Sequence, residues 1–355
     1  MYSKAVRTVL ITIASGFLLL IAFVVIVDPF YHYHEPIGSM QMYLYNTVYQ
    51  SPGLAENYDY DIALLGSSMT ENTRPSWYRE AGDHPVKIAY SGAMSKDFDL
   101  LLGRVFKTHP NLPKVVMDIN EYQLSVDPES RFASNDEYLY DDNPFTDVKY
   151  IFNKDVLSAS AGRLVSCILG VPGNEEDAYT WDDPALFGKE QVKIDYELAM
   201  ENVNRAFAVS EKTTAEKDEI IRIVSDNIEN ITKYVKEHPD TEFVFYYPPY
   251  SLAYWQSLIE NDEAEYTLLR YRTATEILTG FENVKLYSFQ NDYEVIENPD
   301  LYRDSCHYHP EVNRKIFEIM NSDDDTFLLT SENCDKWYAD FEKYIDSADF
   351  DNFWN

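Results

Sequence analysis

An α/β domain built on a parallel sheet, carried behind a single membrane-spanning helix, is the architecture this sequence predicts. Three observations carry it: an uncharged apolar run near the N-terminus, five short apolar runs along the remainder, and amphipathic helical patterns between those runs. A chain of 355 residues with 45% hydrophobic and 25% charged residues has a globular composition, which excludes wholesale disorder. Its 29 Lys and Arg against 61 Asp and Glu give a net charge of −32. So acidic a surface repels a phosphate backbone, and no nucleic-acid partner is expected.

From Thr8 to Val27 run twenty residues without a charge, which at about 1.5 Å per residue cover a hydrocarbon core of about 30 Å. A cleaved signal peptide has an apolar region of about 7–15 residues ending at a small-x-small site. Here Val24-Val25-Ile26-Val27 leads straight into Asp28-Pro29, so an uncleaved anchor over residues 8–27 is expected. Lys4 and Arg7 are the only charges before Asp28. By the positive-inside rule, residues 1–7 form a cytoplasmic tail and the acidic remainder lies on the extracellular side of the cell membrane. Residues 28–57 form a juxtamembrane segment. In it Tyr31, His32, Tyr33 and His34 read as an interfacial belt rather than as metal ligands, since no carboxylate pair stands beside the histidines.

The five apolar runs, Ile62–Leu65, Val86–Ala89, Lys114–Ile119, Phe243–Tyr247 and Val284–Phe289, have the length and β-branched or aromatic content of buried strands. Phe98, Leu101, Leu102, Val105 and Phe106 fall on one helical face, with Ser95 expected as the N-cap. Ile221, Val224, Ile228, Ile231 and Val235 repeat at spacings of three and four, and His238-Pro239 stops that helix. A third helix is expected from Glu263 to Leu278 and a fourth over Glu311–Met320. Strands alternating with helices call for a parallel sheet covered on both faces.

Residues 121–210 are too long for one crossover and are read as an inserted subdomain or lid. Residues 321–355 are an acidic, aromatic tail with a helix expected from Cys334 to Tyr344. Cys167, Cys306 and Cys334 are too few and too scattered for a disulfide scaffold or a zinc cluster, and at most one disulfide can form within the chain, Cys306 with Cys334 being one pairing open to it.

The residues able to do chemistry gather at strand ends. The first strand breaks into Gly66-Ser67-Ser68-Met69-Thr70, which exposes a serine after a sharp turn at the edge where open α/β sheets bind ligands. Its bland alternative is a serine that only caps the next segment. The second strand leads to Gly92 and the third to Asn120. With the Ser68 backbone amide, the Gly92 N–H and the Asn120 side chain are candidate donors to an oxyanion, although a turn and an Asx turn explain each of them separately. Late in the chain stands Asp304-Ser305-Cys306-His307. An aspartate three residues before a histidine can accept from one imidazole nitrogen and leave the other to take a serine proton. His309 is the other candidate base, but Asp304 is spaced for His307.

In order and placement these blocks resemble the SGNH/GDSL hydrolase superfamily. Its Gly-Asp-Ser matches Gly66-Ser67-Ser68, its second-block glycine matches Gly92, its Gly-x-Asn-Asp matches Asp118-Ile119-Asn120-Glu121, and its Asp-x-x-His matches Asp304 to His307. The resemblance covers residues 58–320 less the insertion. It implies a three-layer, flavodoxin-like domain with a five-stranded parallel sheet, a catalytic Ser68, His307 and Asp304, an oxyanion hole of Ser68, Gly92 and Asn120, and no cofactor or metal. Ser67 stands where the family has aspartate, Asp118 where it has glycine and Glu121 where it has a second aspartate. The single N-terminal span resembles the membrane-anchored branch that serves D-alanylation of teichoic acids and O-acetylation of exopolysaccharides. That implies acyl esters of a cell-surface polysaccharide or other acylated polymer as substrate and a membrane-bound O-acyltransferase as partner. The competing reading is an inactive protein of the same fold that binds or assembles envelope polymer.

Overall fold

The computed structural model describes residues 2–44, 46–132, 136–173, 176, 183–203 and 214–355. The chain forms two compact units, one of residues 1–59 with 133–178, the other of residues 60–132 with 179–355.

The second unit is built on six strands: β1 (Ile62–Gly66), β2 (Pro85–Ala89), β3 (Lys114–Asp118), β4 (Glu242–Tyr247), β5 (Val284–Ser288) and β6 (Leu328–Leu329), in the order β2-β1-β3-β4-β5-β6. The first five are parallel, with Leu64 level with Lys87 on one side and with Val116 on the other. The sheet is therefore mixed rather than purely parallel, because β6 pairs antiparallel with β5 through Leu329 and Leu328. Two residues are too short for any periodicity to mark them as a strand.

Side-chain alternation divides the sheet into two apolar faces. Leu64, Val116 and Tyr246 lie against Ile316, Phe317 and Met320 of helix Pro310–Met320. Phe243 points the other way, its ring 6.0 Å from that of Phe106 in helix Ser95–Thr108. On that second face helix Thr214–Glu237 packs against both Ser95–Thr108 and Ala264–Leu278. Its buried row is Ile220, Val224, Ile228, Ile231 and Val235, whereas Ile221 is 40% exposed. The expected face was thus one residue out of phase at its first position, which is about 100° around a helix. Ser95 does not cap its helix either: it is the first helical residue, and its buried hydroxyl donates to Asn227 Oδ1.

Residues 121–210 are shared between the two units. Helix Lys154–Leu169 belongs to the first and helix Lys189–Val203 to the second, and residues 204–210 lie outside the described part. In the tail, helix Cys334–Asp346 docks through Phe341, 5.0 Å from the Trp255 ring, and Tyr338, whose hydroxyl meets Thr275 Oγ1 at 2.9 Å, and a last short helix spans Phe350–Trp354. All three cysteines are free.

The first unit begins with helix Tyr2–Val27, of which Lys4–Val27 is long and apolar enough to cross a membrane or to serve as a signal sequence. Just past it, the buried Asp28 carboxylate accepts from the N–H groups of His32 at 3.0 Å, Tyr33 at 2.7 Å and His34 at 3.0 Å, and from the Tyr150 hydroxyl at 2.7 Å. Those donors turn the chain back along its own helix, so that His34 Nε2 reaches the Val25 carbonyl at 2.8 Å. Tyr31 is fully buried under the Arg163 guanidinium, 4.8 Å from its ring. That part of the expected interfacial belt is core, because the reversal at Asp28 folds the tyrosine inward.

Candidate active site

Strand order reverses at β1, which has β2 on one side and β3 on the other, and the crevice beyond the carboxyl ends of such strands is where open α/β sheets bind ligands. Gly66, Ser67 and Ser68 occupy that position. Gly66 has no alternative, since a Cβ there would lie 2.1 Å from Thr70 Oγ1 and 2.3 Å from Asp118 Oδ1. Ser67 caps the four-residue helix Ser68–Glu71 by accepting from the Met69 N–H at 3.3 Å. Ser68 itself is half-buried.

The His307 Nε2 is 2.9 Å from Ser68 Oγ, and its Nδ1 is 2.7 Å from Asp304 Oδ2. Asp304 Oδ1 accepts from the backbone N–H groups of Cys306 at 2.9 Å and His307 at 2.7 Å, so one carboxylate both folds the loop and orients the ring. Burial alone would push the Asp304 carboxyl up. The hydrogen bond and charge of His307 and the two backbone donors outweigh it and hold the group below the ordinary carboxylate range. His309 sits elsewhere: it caps helix Pro310–Met320 through Nδ1, 3.3 Å from the Glu311 N–H, and packs on Phe187.

The loop that carries Asp304 and His307 is pinned from three sides. A bridge between Tyr302 and Tyr308 closes its base. The Ser305 carbonyl accepts from Ser251 Oγ at 2.8 Å, and Asp195 Oδ2 accepts from the Ser305 N–H at 3.0 Å and its hydroxyl at 2.5 Å. Asp195 comes from the segment read as an insertion, and no local pattern marks it. Cys306, between the two candidate catalytic residues, is poorly placed to compete as nucleophile. Burial pushes its thiol well up, the neighbouring Asp304, Asp195 and Glu121 push it further, and the reactive form is the thiolate.

Gly92 occupies the third position of a turn closed by the Ala93 N–H on the Tyr90 carbonyl at 3.2 Å, with φ of +79°. That is type II geometry, which favours glycine at this position. The Phe132 ring lies where a side chain would project, 2.5 Å from an ideal Cβ. Among the described residues no protein acceptor takes the N–H of Ser68 or of Gly92.

Asn120 is committed differently. Its Nδ2 donates to Ser67 Oγ at 3.0 Å and to Asp118 Oδ2 at 3.2 Å, and its Oδ1 accepts from the Gln123 N–H at 3.1 Å. It belongs to a buried network centred on Asp118. That carboxylate also accepts from the Ser67 N–H at 2.7 Å, Ser67 Oγ at 2.8 Å, Thr70 Oγ1 at 2.8 Å and Gln123 Nε2 at 3.3 Å. Burial pushes the Asp118 carboxyl up, and the donors from Thr70, Ser67 and Asn120 pull against it. Ser67 and Asp118 were two separate departures from the family's blocks, and in the fold they bond to each other. Glu121, the third departure, pairs with Arg270 at 3.2 Å.

Among the described residues no group of three or more His, Cys, Asp or Glu side chains is arranged to hold a metal ion. No family model and no curated protein matches the chain.

Proposed function

We propose that the protein is a serine esterase or O-acyltransferase of the SGNH/GDSL type, anchored in the cell membrane with its α/β unit outside. The single observation that carries the reading is the relay Asp304–His307–Ser68, with contacts of 2.7 and 2.9 Å between groups as far as 239 residues apart. Ser68 Oγ attacks the carbonyl carbon of an acyl ester as its proton passes to His307 Nε2, while Asp304 keeps the other nitrogen protonated. The N–H groups of Ser68 and Gly92 receive the oxyanion, with the Asn120 side-chain amide as the third candidate donor. Collapse expels the alcohol, which takes the proton from His307, and leaves acyl-Ser68. Water or a sugar hydroxyl then attacks the acyl carbon as its proton passes to His307, and collapse of this second tetrahedral intermediate returns that proton to Ser68 Oγ and frees the serine. Support for the superfamily comes from the four sequence blocks and from the order of the five parallel strands, that of flavodoxin-like doubly wound sheets.

The substrate class we assign is the acyl esters of a cell-surface polysaccharide or teichoic acid, handled beside a membrane-bound O-acyltransferase. Incubating the detergent-extracted full chain with a fluorophosphonate should give one adduct, mapped by mass spectrometry to Ser68 and lost in Ser68→Ala. Folded protein that takes up no label would refute the serine mechanism.

A retained anchor is favoured by the packing of its last turns. Val24 is buried in one apolar cluster with Phe30, Tyr138, Leu139, Tyr150, Val156 and Ala159, and Val27 is buried as well. Cleavage at Val27 would strip that cluster of apolar contacts. Protein recovered from membranes should therefore keep its N-terminal helix, and protease added to intact cells or spheroplasts should degrade residues 60–355. A mature chain beginning after Val27, or full protection of the α/β unit, would overturn this placement.

A further inference from the structure

The reaction outlined above leaves one buried acid beside the serine without a task. Glu71 closes the short helix that Ser68 opens and is 2% exposed. Its Oε1 accepts from the Ser91 N–H at 2.6 Å and its Oε2 from the Ser91 hydroxyl at 3.0 Å. Ser91 is the second residue of the type II turn whose third residue is Gly92.

A β-turn uses the carbonyl of its first residue and the N–H of its fourth, so the N–H groups of the second and third residues point outward without internal partners. Glu71 takes the first of these two. The Ser91 N–H and hydroxyl are thereby tied to the helix that Ser68 opens, which holds in place the turn whose next N–H, that of Gly92, has no protein acceptor among the described residues. We infer that Glu71 is a positioning residue that locks the Ser91–Gly92 turn to the serine-bearing helix and so aims the Gly92 N–H at the oxyanion.

A further observation fits that role. Lys87 Nζ donates to the backbone carbonyls of Glu71 at 2.9 Å and Thr73 at 3.2 Å, which fixes the end of the helix from which Glu71 projects. Burial pushes the Glu71 carboxyl up, and the Ser91 donors and the Lys87 ammonium only partly oppose that shift. A carboxylate with two oxygens suits this double acceptance. In Glu71→Gln one oxygen becomes an NH₂ donor, which faces either the Ser91 N–H or its hydroxyl.

The inference rests on the serine mechanism, and the experiment separates the two. Turnover of an aryl acetate and the rate of fluorophosphonate labelling are measured for the full chain, Glu71→Gln, Glu71→Asp and Ser91→Ala, with melting temperatures alongside. Glu71→Gln should lower kcat about 10- to 100-fold, within the range for a misdirected oxyanion donor, while KM moves less than about twofold. Ser91→Ala keeps the N–H and loses only the hydroxyl, so it should lower kcat measurably but less, by about three- to tenfold. Glu71→Asp, which keeps the charge on a shorter arm, should recover part of the loss. Wild-type kcat in a folded Glu71→Gln would overturn the inference while leaving Ser68 labelling intact. If Glu71→Gln fails to fold, an unchanged kcat in Ser91→Ala, whose side chain is exposed, would overturn it instead. Absence of labelling in the wild-type chain would remove the serine mechanism and this inference with it.

Discussion

Replacing Ser68 by alanine should abolish ester turnover almost completely, and adding His307→Ala to it should cost almost nothing more. Groups that act as one unit lose the same rate enhancement whichever is removed, about 10⁴- to 10⁶-fold in kcat for a serine relay. The basis is mutual dependence: the 2.9 Å contact between Ser68 Oγ and His307 Nε2 has a function only while both ends exist. Asp304→Ala should be milder, because the imidazole still holds the useful tautomer part of the time. It should also loosen the loop, since the carboxylate holds the N–H groups of Cys306 and His307. The sign of its pH dependence follows from its lowered pKa. A carboxyl held low in the fold adds stability above its unfolded value, about 3.9, and loses that contribution only as the pH falls through the still lower folded value. Activity lost between about pH 7 and pH 5 therefore does not come from Asp304. The whole scheme is checked by kcat and kcat/KM for the single and double variants. Single losses that multiply in the double variant would mean that the two side chains work independently.

Asp118→Ala should be the most destabilising single change near the site. It removes a fully buried carboxylate that accepts from Ser67, Thr70, Asn120 and Gln123. Each orphaned buried donor costs about 1–3 kcal/mol. Some of that returns as the side chains find new partners, so the expected net loss is about 3–5 kcal/mol. For a unit of this size that is a fall of about 10 °C in melting temperature. Turnover should fall as well, because the same carboxylate fixes the turn on which Ser68 stands. Asp118→Asn keeps the shape and one acceptor oxygen and should lose less than half as much. Thermal unfolding followed by circular dichroism decides the matter. A melting temperature for Asp118→Ala within about 2 °C of wild type would show that the network does not hold the turn.

Local patterning made much of the α/β unit legible in advance. The five parallel strands are short apolar runs because both faces of the sheet are covered, and His238-Pro239 had to end a helix whatever surrounded it. The relay was legible for a related reason: Asp304 and His307 lie three residues apart, and a glycine before the serine marks a sharp turn. Asn120 was only half legible: an amide at a strand end looks the same in sequence whether it faces only a crevice or, as here, also donates into a buried network at Ser67 and Asp118.

By itself, then, the sequence determined what depends on near neighbours: the apolar helix at the N-terminus, the alternation of strands and helices, and the candidate serine, acid and base. Only the tertiary structure decided which distant groups meet. Ser67 and Asp118 are 51 residues apart, Glu71 and Ser91 are 20, and Asp195 and Ser305 are 110. The same holds for β6, two residues that count as a strand only because β5 lies beside them. The physical reason is that a helix or a buried strand is written in a repeat of 3.6 or 2 residues. A buried carboxylate that accepts from a distant N–H leaves no repeat at all, and its identity is set by whichever donors the packed sheet brings to its end.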